Sequence, residues 1–205
     1  MESWARCSGA CRSTAGRAQA SASAYSARGC RRTASPKILL EGRPGAGKST
    51  VAQRLADLLQ AAGVRVAGFV TADLREGGRR VGFAVESFDG KRATLAHVSL
   101  PGPPRVSRYG VDLPAFEQVA LPALDAAGRA DVVVLDELGK MELASDRFCD
   151  AVTELFHSPS SVVATIHVFR HPFTDVLKAR SDVERLSVTR KTREGLPEEL
   201  AARLR

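Results

Sequence analysis

The segment Gly42-Arg43-Pro44-Gly45-Ala46-Gly47-Lys48-Ser49-Thr50 sets glycines, a lysine and two hydroxyls in the spacing G-x-x-x-x-G-K-[ST]. These residue types suit a polyphosphate. Glycines let backbone N–H groups close around an anion, and a helix starting behind them adds the positive end of its dipole. Lys48 is expected to reach the β- and γ-phosphates. The Ser49 hydroxyl is expected to ligate Mg²⁺, and Thr50 to complete the nucleotide contacts. The alternative is a Gly-rich turn with an incidental lysine. The flanks argue against it, because the apolar run Lys37-Ile38-Leu39-Leu40-Glu41 precedes the loop and a helical pattern from Ser49 to Ala62 follows. The chain is therefore expected to bind a nucleoside triphosphate.

A second constellation lies about ninety residues on. Asp131-Val132-Val133-Val134-Leu135-Asp136-Glu137 is a run of four aliphatic residues that ends in two acids. A strand of this kind supplies the carboxylate on the Mg²⁺ side of a phosphate loop. Asp136 is expected to hold the ion through a water, opposite Ser49, since Mg²⁺ takes few protein carboxylates and keeps its waters. Glu137, one step further, can orient and activate a water for attack on the γ-phosphate. Hydrolases need such a group, whereas small-molecule kinases avoid it because it favours wasteful hydrolysis. The plainer alternatives are two strand-end surface acids, or a Glu137 that caps a helix or forms a salt bridge.

These residues need a scaffold that brings two strand ends together. The strand at 37–41, the loop and the helix to Ala62 are followed by Gly63, a suitable helix-terminating glycine. Val64–Thr71 reads as a strand. Arg80–Phe88 and Lys91–Val98 alternate in polarity and are joined by Asp89-Gly90, a hairpin signal. A loop from Pro101 to Gly110 leads to Asp112, which can cap a helix carrying Phe116, Val119, Ala120 and Leu124 on one face. The aliphatic run of 131–137 reads as a buried parallel strand. Helix 146–156, strand 161–167, a short helix at 173–179, strand 184–189 and a terminal helix at 197–204 complete the pattern. The expectation is a three-layer α/β domain over residues 37–205. It has a mostly parallel central sheet and a small antiparallel hairpin insertion, with the nucleotide at the C-terminal strand ends.

Charge divides the chain. The 205 residues carry a net charge of +7. Seven of the basic residues and a single acid, Glu2, fall in residues 1–37, and the remainder holds 23 basic and 22 acidic residues. A near-neutral folded part gives no bulk support for a nucleic-acid groove, so nucleic acid is not an expected partner. Residues 1–36 contain no Leu, Ile, Val or Phe and are expected to be a disordered basic extension. Their Arg/Ser-rich, acid-poor make-up is like an organelle transit peptide, although the apolar face of a transit helix is missing. A dispensable extension or an upstream start are the other readings. Cys7, Cys11 and Cys30 have poor zinc spacing, and Cys149 is expected to be a small buried apolar residue. No run reaches membrane-spanning length, and no secretory apolar region is read at the start. A cytoplasmic monomer is expected.

Several motifs, in order, resemble those of the cancer-related nucleoside-triphosphatase family, the thermophile-type members of the P-loop NTPase superfamily. They are the phosphate loop, Gly68-Phe69-Val70-Thr71, Arg80-Val81-Gly82-Phe83, Tyr109-Gly110-Val111-Asp112, Leu135-Asp136-Glu137-Leu138-Gly139-Lys140-Met141-Glu142-Leu143 and Ala164-Thr165-Ile166. The block after Leu135 is the most specific. The resemblance implies a RecA-like fold and Mg²⁺-dependent hydrolysis of ATP, GTP and other nucleoside triphosphates (CTP and UTP among them) to diphosphate and phosphate, with little base selectivity. Three positions depart from the family: Leu138 stands for Ile, His167 for a common Pro, and Thr192 for Asn in Lys191-Thr192-Arg193-Glu194.

Weaker candidates surround this set. Lys140 and Glu142 could sense phosphate, position a loop or simply pair at the surface. Thr165 or His167 could sense the γ-phosphate. Arg170 and Arg180 are arginine-finger candidates, and Tyr109 and Phe116 could stack on a base, although core packing suits Phe116 better. His97 and His157 show no site. The rival functions are a nucleotide or small-molecule kinase, a nucleic-acid-linked regulatory switch and a pure binding module. Glu137 and the absence of an Arg-rich lid count against the first. The neutral domain and the lack of an Asn-Lys-x-Asp guanine reader count against the second, and Lys48 with Glu137 against the third.

Overall fold

The computed structural model describes residues 35–205. The expectations for residues 1–34, disorder and targeting included, lie outside the described residues. Chain order gives strand β1 (Lys37–Gly42), helix α1 (Lys48–Ala61), strands β2 (Val66–Glu76), β3 (Arg79–Ser87), β4 (Arg92–His97), β5 (Arg105–Val106) and β6 (Tyr109–Val111), and helix α2 (Leu113–Asp125). Strand β7 (Val132–Leu138), helix α3 (Asp146–His157), strand β8 (Ser161–His167), helix α4 (Pro172–Lys178), strand β9 (Val183–Ser187) and helix α5 (Leu196–Leu204) follow. Among the described residues no helix is long and apolar enough to cross a membrane.

Among the described residues nine strands form one sheet, in the order β5-β6-β4-β3-β2-β7-β8-β1-β9. From β2 to β9 every pairing is parallel, and from β2 out to β5 every pairing is antiparallel. The hairpin read from Asp89-Gly90 is β3–β4, with Gly90 at φ 90°. It extends the same sheet rather than standing apart from it. Two differences from the sequence reading share one cause. β2 runs on past Thr71 to Glu76 because β3 supplies partners for its polar residues. The loop of 101–110 contains β5 and β6, held by the pairs Arg105–Gly110 and Val106–Tyr109. In both cases the partner strand, not local propensity, creates the strand.

The sheet is buried on both faces, as three layers require. Val132 and Val134 of β7 join a core cluster with Val51, Leu55 and Leu59 of α1 and Leu200 of α5. Val133 and Leu135 face the opposite cluster, built on α2, α3 and α4. That side centres on Phe69, Phe116 and Phe148, whose ring centroids lie 4.9–5.7 Å apart. Phe116 is thus a core residue. Asp112 caps α2 by accepting a hydrogen bond from the Ala115 N–H at 2.9 Å, and Ser145 caps α3 through Phe148. β7 and β8 lie side by side, with β1 beyond them. The loop after β1 and the acids ending β7 therefore meet at the C-terminal ends of the parallel strands.

Candidate active site

The phosphate loop leaves β1 at Gly42 and enters α1 at Lys48. Its turn closes with the Ala46 N–H donating to the Arg43 carbonyl at 3.1 Å. Gly47 has φ 101°, a left-handed conformation that disfavours a Cβ, and its carbonyl accepts the Val51 N–H at 2.9 Å. The N–H groups of α1 ahead of Val51 have no intrahelical acceptor and can face an anion. Lys48 is almost fully buried. Its Nζ donates to the Gly42 carbonyl at 3.2 Å and lies 3.3 Å from Glu137 Oε2. Arg43 and Pro44 are exposed at the tip, as are Ser49 and Thr50 at the helix start.

Asp136 has no accessible surface. Its Oδ1 accepts from Thr165 Oγ1 at 2.6 Å and its Oδ2 from Thr71 Oγ1 at 3.3 Å. Burial pushes its carboxyl above the ordinary value. The neighbouring Glu137 adds to the rise, and the hydroxyls of Thr165, Ser49 and Thr71 only partly oppose it. This is a buried carboxylate among hydroxyls, with no basic side chain paired to it among the described residues. Such a donor set suits a hard cation that keeps most of its waters. Among the described residues no cluster of three or more His, Cys, Asp or Glu could hold a metal by itself. An ion held here would take its remaining ligands from water or a bound polyphosphate.

Glu137 emerges one residue later, on the open side of the strand end. Burial alone would raise its carboxyl. The hydrogen bond from His167 and the charge of Lys48 outweigh burial and hold it below the ordinary carboxylate value. His167 Nε2 lies 2.6 Å from Glu137 Oε1. Glu142, just past β7, is buried as well. Desolvation, with the charges of Glu137 and Asp136 adding to it, pushes its carboxyl up to about 8. The Glu137 and Glu142 carboxylates converge over Gly139, where a Cβ would stand 2.8 Å from Glu142 Oε2 and 2.9 Å from Glu137 Oε1. Any side chain there would displace one of them.

These groups line one cavity of about 870 Å³, which runs from the phosphate loop past Glu137 to Phe83 and Val106 on the antiparallel side. Lys140 and Arg170 reach its wall. Glu142 does not pair with Lys140 at the surface, as the plainer sequence reading allowed, because it is turned inward. Arg180 lies elsewhere, bonded to Asp182, to His157 and to the Phe156 carbonyl. Tyr109 is outside the cavity too, packed on Phe83 with ring centroids 5.2 Å apart. Cys149 is half-buried, its thiol facing the Leu143 carbonyl at 3.7 Å, rather than the core residue expected. Thr192 closes a turn by donating to the Ser187 carbonyl at 2.9 Å. Arg193, next to it, lies over the phosphate loop. Its Cδ is 3.1 Å from where a Cβ on Gly47 would stand. Sequence reading did not give Arg193 or Thr71 a role, although both fall within the quoted motifs.

A phosphate loop, a buried strand-end aspartate and an adjacent glutamate, on a sheet whose loop-bearing half is parallel, define a phosphate-loop nucleotide-binding α/β protein. Residues 37–201 match a family described as NTPase, and the chain belongs to that family. It is 41% identical to the nucleoside-triphosphatase THEP1 of Thermotoga sp. (strain RQ2), over 82% of this chain and 95% of that protein. It is 39% identical to the human cancer-related nucleoside-triphosphatase, over 78% of this chain and 91% of the relative. The crystal structure of THEP1 from the hyperthermophile Aquifex aeolicus is similar with a TM-score of 0.73 at 31% identity, covering 82% of this chain and 98% of that one. The family and its fold are thus as the motifs implied.

Proposed function

We propose that the protein is a Mg²⁺-dependent nucleoside-triphosphatase that hydrolyses ATP, GTP, CTP and UTP to diphosphate and phosphate with little base selectivity. The observation that carries this reading is Glu137. It is an ionised carboxylate at the cavity wall, one residue beyond the buried Asp136 and 3.3 Å from Lys48. The family membership and the names of the relatives support the same reaction class.

Residues 42–50 cradle the β- and γ-phosphates with backbone amides. Ser49 and Asp136 would hold Mg²⁺, which when bound offsets charge on the phosphate oxygens and polarises the γ-phosphorus. Lys48 leaves Glu137 for the phosphate oxygens, and Glu137 Oε2 is then free to accept a proton from a water. As the water oxygen bonds to the γ-phosphorus, the bond from phosphorus to the β–γ bridging oxygen breaks. The proton of the water passes to Glu137, and the diphosphate leaves. A positioned general base of this kind accelerates the step by about 10²- to 10⁴-fold.

The test is phosphate release by the full chain from ATP, GTP, CTP and UTP, with Mg²⁺ and with EDTA. Metal-dependent release from all four is expected. Tight binding without release would contradict the hydrolase reading and point to an absent phosphate acceptor.

A further inference from the structure

The two carboxylate oxygens of Glu137 have different partners. Oε1 lies 2.6 Å from His167 Nε2, and Oε2 lies 3.3 Å from Lys48 Nζ. Only the second contact competes with substrate, because a triphosphate draws the lysine away. Building on the hydrolase reading above, we propose that His167 is a positioning residue for this reaction. By donating Nε2–H to Oε1 it keeps the Glu137 carboxylate aimed after Lys48 departs, and it leaves Oε2 as the oxygen that takes the proton of the attacking water.

The fold places His167 for this task. It is the last residue of β8, beside β7, and its register partner on β1 is Gly42, where the phosphate loop begins. Its carbonyl accepts from Lys178 Nζ at 3.2 Å, which fixes the strand end. The ring of Phe169 backs its imidazole, with centroids 6.1 Å apart. The other ring nitrogen, Nδ1, is buried and has no hydrogen-bond partner among the described residues. A buried polar atom without a partner is unfavourable. Among the described residues nothing polar on the Nδ1 side orients this ring, so the contact with Glu137 does. The arrangement follows the general logic in which a third group orients the base.

The proton balance leaves His167 unchanged. The water oxygen bonds to phosphorus, its proton goes to Glu137 Oε2, and the bridging oxygen leaves with the diphosphate. Nε2 keeps its hydrogen throughout, and Glu137 later returns its proton to solvent. A direct phosphate sensor would behave differently, because its loss would weaken nucleotide binding. A positioning residue acts on turnover, with affinity preserved.

The experiment measures kcat and KM for Mg·ATP, and equilibrium affinity for a fluorescent ATP analogue, in the full chain with His167→Phe, His167→Gln, Glu137→Gln and the Glu137→Gln/His167→Phe pair. Phenylalanine keeps ring volume but cannot donate, whereas the glutamine amide can. His167→Phe is expected to lower kcat by about 10- to 100-fold, with KM and affinity changed by less than about twofold. His167→Gln is expected to restore kcat to within about fivefold of the unaltered protein. In the Glu137→Gln background, His167→Phe should cost nothing further, since the two act as a unit. An unchanged kcat, equal losses in both variants, a loss of affinity instead of turnover, or independent effects in the pair would each overturn the proposal. If His167→Phe fails to fold by thermal melt, His167→Ala against His167→Gln makes the same distinction. An inactive Glu137→Gln beside a fully active His167→Phe removes the role of His167 alone. A fully active Glu137→Gln removes the assigned base, and the role of His167 with it.

Discussion

Lys48 Nζ and Glu137 Oε2 are 3.3 Å apart, so the lysine of the phosphate loop and the carboxylate at the end of β7 hold each other. The pair keeps a nearly buried ammonium compensated. It also keeps the carboxylate ionised, because Lys48 is one of the charges that lower its pKa. In the proposed reaction the triphosphate exchanges one anionic partner of the lysine for another.

Lys48→Met is expected to weaken Mg·ATP affinity by about 10- to 100-fold, the range of one lost charged hydrogen bond. It should also raise the Glu137 carboxyl toward the ordinary value. Equilibrium binding of a fluorescent ATP analogue measures the first effect. Unaltered affinity would mean that the loop does not hold the triphosphate through Lys48.

Asp136→Asn should separate stability from activity. Burial already penalises the Asp136 charge, and the Thr165 hydroxyl at 2.6 Å can still donate to an amide oxygen. The metal-free variant is expected to melt at or above the temperature of the unaltered protein, by up to about 2 kcal/mol of added stability, while losing Mg²⁺-dependent phosphate release. A large loss of stability would show that the carboxylate is a structural acceptor instead.

Glu142 gives a pH signature. In the folded protein its carboxyl keeps a proton up to about 8, against an ordinary value of 4.5. Between those values the folded state binds more protons than the unfolded chain, so this group's contribution to stability falls as pH rises. The slope is at most about 1.4 kcal/mol per pH unit. Glu142→Gln abolishes it. Thermal melts from about pH 5 to about pH 8 should show the variant gaining steadily on the unaltered protein, and a constant difference would contradict this environment for Glu142.

The phosphate loop and the buried strand β7 were legible because their signals are local: glycine spacing, a lysine and a hydroxyl, and four aliphatic residues ending in acids. β5 and β6, at two and three residues, were not legible, because cross-strand pairing alone makes them strands. The same limit applies within the site. Glu142 reads as a polar residue among Lys140 and Met141, and only the turn at Gly139 carries it inward beside Glu137. The contact between Glu137 and His167 joins positions thirty residues apart. It exists because β8 pairs with β7 and β1 at once, which no local pattern encodes. Arg193 reaches the phosphate loop for a similar reason, through the turn that Thr192 closes after β9.

The most direct test of the account is Glu137→Gln in the full chain, with Mg·ATP binding and single-turnover phosphate release measured on the same preparation. If Glu137 is the base, binding stays within about twofold of the unaltered protein and the hydrolytic rate falls by about 100-fold or more. Hydrolysis near the unaltered rate with binding intact would show that another group activates the water.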